Sequence, residues 1–442
     1  MTLQAFLAFV VSAAAIAAPW QEGVALQREG ATLTYAGQPF AAVAVNKHEL
    51  LAQYLVGLRG ETGQDAEAAR SAARRSLQGL RDIGVGVIRV RLSAFWPAEI
   101  EDTHLSEDPK VRQRAWAATD QMLDDCDEYG IRVVGTIAWH LGGWADLGHH
   151  SLREFFCDPH SAGRGLLRQW IADLVGRYAE RDTILFWELT NEANLGADLG
   201  PQFAQDGVLQ PKLERPAPHL VRGPVVRDGR NNYSSDELAA LTRELCAQVK
   251  LLDREHLVGT GFSAPRPAAW HLWLGSIRRT GEMDWTVDSP QEQADYLRLV
   301  TPEGVDLVSL HAYDDRLADL WNLKLAAESI GVPVYIGEFG SSAGLYEGRV
   351  YDSPEAVEDL RLSLEGIAAM RIPLTLLWTW DEWGSPAHEP VLHPDTQPEV
   401  VQLLRQANAA AQGPAEAPVQ PEQVLQALEA LQTRIEALKP RQ

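Results

Sequence analysis

Ile184-Leu185-Phe186-Trp187-Glu188-Leu189-Thr190-Asn191-Glu192-Ala193-Asn194 decides the fold of this chain. It opens as a short apolar run, Ile184–Leu189, and ends on an amide and a carboxylate. Runs of the same kind recur at Ala42–Val45, Val85–Val90, Arg132–Ile137, Leu257–Thr260, Val305–Leu310, Val334–Ile336 and Leu374–Leu377. Helically spaced stretches lie between them, such as Ala66–Leu80, Gln113–Tyr129, Leu166–Tyr178, Asp236–Leu252, Leu317–Ser329 and Pro354–Met370. Strand signals alternating with helix-length segments predict parallel βα units. Eight such units close on themselves with tilted strands and leave no edges. The fold class is therefore α/β, a (β/α)8 TIM barrel. A doubly wound open sheet is the alternative. It would usually show fewer strands and a Gly-rich first turn, and no Gly-x-Gly-x-x-Gly occurs here.

The 442 residues allow one large barrel domain with additions at both ends. Residues 1–18 read as a signal peptide. Ala5–Ala18 is apolar, and Ala15-Ile16-Ala17 fits a small-x-small cleavage site, although no Lys or Arg precedes the run. That run is too short for a comfortable membrane span. The expected location is secreted or periplasmic. The barrel domain is expected over 22–411. It starts with a hairpin in which Val24–Leu26 and Thr32–Tyr35 flank Glu29-Gly30. Two long irregular segments are expected after strands four and five, Leu195–Ser235 and Ala264–Gln293; the second carries Trp270, Trp273 and Trp285. A Pro/Ala/Gln-rich linker, 412–421, leads to a helix over 422–439. There Val424, Leu428, Leu431, Ile435 and Leu438 form a heptad seam. The seam suits a coiled-coil handle for a homo-oligomer or an amphipathic helix docked on the barrel. A frayed tail is the third reading, since isolated helices this short are marginal.

The formal net charge of −22 argues against nucleic acid or an anionic membrane surface as a partner. It says little about a neutral substrate. Fourteen tryptophans offer flat faces for sugars, though most should pack in the core and loops. Cys126, Cys157 and Cys246 are an odd number without close spacing, so neither a disulfide framework nor a zinc site is indicated. Cys126 and Cys246 fall in helical stretches and read as buried small hydrophobes.

Glu192 follows strand four, and Val334-Tyr335-Ile336-Gly337-Glu338-Phe339-Gly340 places Glu338 at the end of strand seven. A carboxylate after an apolar strand is costly to bury unless it is paired or hydrogen-bonded. Barrel enzymes draw their catalytic groups from the C-terminal ends of several strands. Two carboxyls facing each other across that mouth are what glycoside hydrolysis needs. One protonates the leaving oxygen, and the other attacks the anomeric carbon or activates water. A salt bridge at each strand end is the plain alternative, which the paired placement disfavours. Glu188 lies further back in its strand and reads as structural.

On these residues the chain resembles the four/seven superfamily of glycoside hydrolases, clan A, and most closely family five, the cellulase and mannanase family. The pattern extends from about Phe40 to Gly384. Ile88-Arg89-Val90-Arg91 supplies an arginine on strand two, Ala138-Trp139-His140 a histidine on strand three, His311-Ala312-Tyr313 the His-x-Tyr of strand six, and Leu377-Trp378-Thr379-Trp380 a tryptophan on strand eight. The resemblance implies a retaining enzyme of cellulase or mannanase type, without cofactor or metal, cleaving a β-linked glucan or mannan by double displacement. It makes Glu192 the acid/base and Glu338 the nucleophile. It assigns substrate contacts to Arg89, His140, Asn191, His311, Tyr313, Trp378 and Trp380.

Residues i and i+2 share a strand face, so Arg91 could join Arg89, and Trp380 could join Trp378. Arg89 and Trp378 fit the pattern better. Asn191 and Glu192 are adjacent, so a bulge or the strand end must re-aim one of them. Glu338 should stay ionised beside Arg89 and Tyr313, and Glu192 should hold the proton at rest. His149, His150 and His160 read as solvated loop residues rather than a metal cluster. Asp381 and Glu382 read as rim residues. Two other functions compete: an exo-acting or transglycosylating enzyme on short oligosaccharides, and a non-catalytic carbohydrate-binding barrel. The second would require loss of a carboxylate or its supports, and none is missing.

Overall fold

The structure is a computed structural model. It describes residues 20–56, 58, 63–93, 104–199, 232–278, 283–313, 317–340, 351, 353–381, 392, 394–411 and 420–438. The expected leader at 1–18, residues 412–419 of the expected linker, most of the loop after strand four, and Glu382 lie outside them.

A small antiparallel sheet comes first: β1 (Gln27–Glu29), β2 (Thr32–Tyr35) and β3 (Gln38–Pro39). It has one strand more than the expected hairpin, and its first strand starts later. The extra strand follows from Ala36 and Gly37, both at positive φ, which close a two-residue turn between Tyr35 and Gln38. Leu26 and Leu33 are buried with barrel residues Ala44, Val87, Val134, Phe186, Leu307 and Leu376, so this sheet packs on the barrel interior.

The barrel strands are β4 (Ala42–Asn46), β5 (Val87–Arg91), β6 (Arg132–Ala138), β7 (Ile184–Thr190), β8 (Leu257–Gly259), β9 (Val308–Ala312), β10 (Val334–Phe339) and β11 (Leu374–Leu377). They run parallel in the order β8-β7-β6-β5-β4-β11-β10-β9. A parallel bridge between Gly259 and Leu307 joins the two ends, closing the expected barrel. Each strand overlaps its predicted run.

The helices are α1 (Leu50–Leu55), α2 (Gly63–Asp82), α3 (Pro109–Glu128), α4 (Leu141–Leu147), α5 (Leu152–Cys157), α6 (Ala162–Tyr178), α7 (Ser235–Leu252), α8 (Ala269–Arg278), α9 (Pro290–Val300), α10 (Leu317–Ser329), α11 (Pro354–Met370), α12 (Pro398–Ala411) and α13 (Pro421–Glu436). The segment after strand five is not irregular, as expected, but carries α8. Asp288 accepts from the backbone N–H groups of Trp270 and His271, so the cap for this helix comes from far along the chain.

The tail is settled by α13. Its seam residues Val424, Leu428, Leu431 and Ile435 are buried against α10 and α11 of the same chain. Gly366 on α11 leaves room for Leu428, whose Cδ2 would lie 3.4 Å from an added Cβ. Arg434 pairs with Glu358 across the contact at 3.4 Å. Of the readings the sequence left open, the docked helix fits this packing, and the seam it covers within the chain lends no support to a homo-oligomer through it. Cys126, Cys157 and Cys246 are all free, the first and last buried. Among the described residues no helix is long and apolar enough to cross a membrane.

Candidate active site

Strand four ends at Thr190, and Glu192 then turns left-handed at φ 51°, ψ 24°. That turn brings the adjacent side chains of Asn191 and Glu192 to one cluster, against Arg89 and His311, as the sequence required. The Glu192 N–H is held by the carbonyl of Gly261, 2.8 Å away. Gly261 sits at φ 73°, where an added Cβ would lie 1.6 Å from the Thr190 carbonyl oxygen. Only glycine fits there.

Glu338 is re-aimed differently. The β9–β10 register pairs Ile336 with Leu310 and Glu338 with His311, leaving Gly337 as the extra residue of a bulge. A Cβ at Gly337 would meet His311 Nε2 and Ser309 Oγ, each at 2.8 Å.

Arg89, fully buried, ties the floor together. It donates to Glu338 Oε1 at 2.6 Å, Asn191 Oδ1 at 2.7 Å, Asn46 Oδ1 at 3.1 Å and Glu188 Oε1 at 2.8 Å. Its guanidinium lies 4.5 Å from the ring of Trp139. Glu188 also accepts from Thr136 at 2.7 Å and Tyr335 at 2.6 Å, so it is a structural partner of Arg89. Arg89 thus divides one positive charge between two carboxylates. Tyr313 donates to Glu338 Oε2 at 2.7 Å. His311 Nδ1 is 2.9 Å from Glu192 Oε1 and 3.5 Å from Glu338 Oε1. One oxygen of each glutamate and the His311 nitrogen all lie within 4.8 Å of one another.

The two carboxyls titrate as a pair. Burial, then the Glu192 charge, lifts Glu338 above the usual range, against His311, Arg89 and Tyr313. Burial also lifts Glu192, but the hydrogen bond and charge of His311, then Arg89 and His140, outweigh it and bring Glu192 down. The two shifts run in the opposite sense to the sequence expectation, Glu338 up and Glu192 down. The lowering of Glu192 comes from His311, whose Nδ1 is 2.9 Å from Glu192 and 3.5 Å from Glu338. Exposure acts in the same sense: the Glu192 side chain keeps 31 % of its surface in water and the Glu338 side chain 6 %.

His140 stands at the N-terminal cap position of α4, half-buried and within electrostatic reach of Glu192. Burial and then Arg91 push its imidazole down to about 3, so it is neutral in the working range. Arg91 shares the inward face with Arg89 and is also buried. Trp378 is half-buried beside the mouth, its N–H bonded to the Phe339 carbonyl at 2.8 Å. Trp380 is a correction. It is buried, and its ring faces α2, with Cζ2 3.6 Å from where a Gly79 Cβ would stand. Strand eight ends at Leu377, so face-sharing does not carry past it.

The sequence reading missed Asn46, whose amide bridges Arg89 and the Gly337 carbonyl, the latter at 3.0 Å. A polar residue closing the apolar run of β4 was the available signal. It also missed His48, whose ring stacks on Trp378 at 4.5 Å and 17°. His150 is no solvated loop residue, because its Nε2 accepts from the Gly163 N–H at 3.0 Å. His271, Asp288 and Glu292 also approach one another within 4.8 Å, but Asp288 caps α8 and Glu292 caps α9.

No family model matches the chain. Two mannan endo-1,4-beta-mannosidases of Oryza sativa subsp. japonica, numbers 7 and 8, are each 23% identical to it over 244 residues. That is 50% of this chain and 52% of the first relative, so the chain spans about half the length of the curated relatives it matches. Among solved structures, an endo-1,4-beta-mannanase from Rhizomucor miehei superposes with a TM-score of 0.60 at 14% identity, covering 88% of this chain and 100% of its own. An endo-beta-1,4-mannanase from Thermotoga petrophila gives 0.57 at 16%, covering 86% and 79%. A family 5 mannosidase from Rhizomucor miehei gives 0.58 at 14%, covering 93% and 98%. These likenesses establish the TIM-barrel fold. The chain resembles glycoside hydrolase family five in its motifs and shares the barrel of that family's mannanases.

Proposed function

We propose that this protein is a retaining glycoside hydrolase that cleaves β-mannosidic bonds within a mannan-type polysaccharide. The observation that carries the reading is the carboxylate pair. Glu192 and Glu338 approach within 4.8 Å at the ends of strands four and seven. Retaining enzymes hold their carboxyls ~5–5.5 Å apart and inverting ones ~6.5–9.5 Å, because the latter must seat a water between them. Mannan is favoured over glucan because the relatives and structural neighbours are mannanases and mannosidases.

Catalysis runs by double displacement. Bound substrate removes water from Glu192, which raises its carboxyl. Developing positive charge at the anomeric carbon favours the Glu338 anion, and the shared proton passes to Glu192. Glu192 gives that proton to the leaving glycosidic oxygen as Glu338 attacks the anomeric carbon. Ionised Glu192 then takes a proton from water, which displaces Glu338. Arg89 and the Tyr313 hydroxyl hold the Glu338 oxygen positions. His311 orients Glu192. Asn191 is aimed by Arg89 to bond the sugar 2-hydroxyl, a contact that strengthens in the transition state. Trp378 stacks beneath the sugar at the cleavage point. An export leader at the N-terminus would bring the enzyme to polymer outside the cytoplasm.

The test is Glu338→Gln with an activated aryl β-mannoside. Loss of the nucleophile should cut kcat by about a thousandfold or more, the scale seen when a central catalytic group is removed. Mass spectrometry of the wild type with a 2-deoxy-2-fluoro mannosyl fluoride should show one added glycosyl group on the peptide containing Glu338. Full activity of the variant would remove the assignment.

A further inference from the structure

The four residues that follow the apolar part of β4, Asn46-Lys47-His48-Glu49, hold the Trp378 segment from two sides. The backbone side is fixed by hydrogen bonds. The Thr379 hydroxyl donates to the Asn46 carbonyl at 2.8 Å, and the Trp380 N–H donates to the same oxygen at 3.0 Å. The Lys47 ammonium donates to the Asp381 carbonyl and pairs with Glu49. These bonds fix the main chain but not the two side-chain torsions of the indole, which also meets Trp139 at 6.2 Å and 30°. The ring side is fixed by stacking. His48 lies 4.5 Å from Trp378 at 17° and 5.7 Å from Trp139 at 22°. Trp139 in turn covers the Arg89 guanidinium.

We propose that His48 is a positioning residue that sets the plane of Trp378 as the sugar platform. The inference rests on the reading of this centre as a glycosidase site. His48 is buried with its ring face against the indole, so its effect on the sugar passes through Trp378. A sugar ring flattens toward an oxocarbenium shape in the transition state. A platform free to tilt follows that change less well, so the loss should fall on kcat as well as KM.

The experiment measures kcat and KM on mannotetraose for wild type, His48→Ala, His48→Gln and His48→Phe, with Glu338→Gln beside them. An aromatic pair of this kind corresponds to a rate change of about three- to tenfold. His48→Ala and His48→Gln should lose that much kcat/KM, with kcat reduced. His48→Phe, which keeps a flat ring without the imidazole nitrogens, should recover most of it. His48→Gln keeps the measurement usable if the alanine variant does not fold. The inference is overturned if the glutamine or alanine variant matches wild type, or if the phenylalanine variant falls as far as they do. An active Glu338→Gln would instead overturn the glycosidase reading on which the inference stands.

Discussion

Glu192 occupies a left-handed backbone conformation that a side chain with a Cβ adopts at a cost of about 1–2 kcal/mol. The fold offsets that cost locally through the Gly261 carbonyl and the 3-10 turn of Ala193–Gly196. What the strain delivers is a carboxyl aimed at His311 instead of at the strand's outer face. Its protonation has a measurable consequence. Glu338 is shifted up and Glu192 down, the opposite sense to the arrangement the proposed reaction uses, proton on Glu192 and charge on Glu338. Wild-type kcat/KM should be bell-shaped, with an acid limb belonging mainly to Glu192 and an alkaline limb mainly to Glu338. Glu192→Gln leaves a single titration, that of Glu338 beside a neutral neighbour. Loss of the Glu192 charge brings this below the wild-type alkaline limb. It still lies above the acid limb, because Glu192 is the stronger acid of the two. With a dinitrophenyl mannoside, whose leaving group needs no proton, the variant should rise once with pH and then stay level. Its midpoint should fall between the two wild-type limbs. A midpoint on the wild-type acid limb would mean that Glu338 ionises first and that the resting proton sits on Glu192 after all.

Two strand ends present the pair, and each relies on a glycine for a different reason. Gly337 is the extra residue of a bulge, and Gly261 is a left-handed close approach under Thr190. Gly261→Ala should destabilise the protein by ~3 kcal/mol or more, since it combines backbone strain with overpacking against a carbonyl. Gly176→Ala is the matched control. It lies exposed in α6 with nothing within 4 Å of an added Cβ, and should stabilise by ~0.5–1 kcal/mol. Urea unfolding of both variants checks the pair, and equal effects would refute the geometric argument. The same elements show what the sequence made legible. The eight apolar runs carried the barrel because a parallel strand buried on both faces must be apolar along its length. Glu192 and Glu338 were legible because charge at the end of such a run is conspicuous. Asn46 and His48 were not, because their roles come from β10 and β11, about 290 to 330 residues away. Trp380 was misplaced because a two-residue periodicity was extended past Leu377, where the strand stops. The cap of α8 was invisible for a similar reason, since Asp288 reaches back across an intervening segment.

Across the whole molecule, stability and chemistry occupy different places. The small N-terminal sheet packs on the barrel interior, the carboxylate pair lies at the C-terminal strand ends, and α13 covers the outer helices α10 and α11. Those two helices follow β9 and β10, the strands that supply His311 and Glu338. Docking α13 therefore braces the half of the barrel that carries the proposed nucleophile, without reaching the site. Leu428 is the centre of that contact and is fully buried. Leu428→Ala should cost ~2–5 kcal/mol, the range for emptying a packed leucine site. At temperatures where the variant remains folded, kcat and KM should stay near wild type. Its mass by light scattering should equal that of the wild type, because the seam it weakens joins parts of one chain. A variant that changed mass while keeping its thermal midpoint would return the seam to an intermolecular role. One that lost activity while fully folded would mean that the brace on β9 and β10 also sets the catalytic geometry.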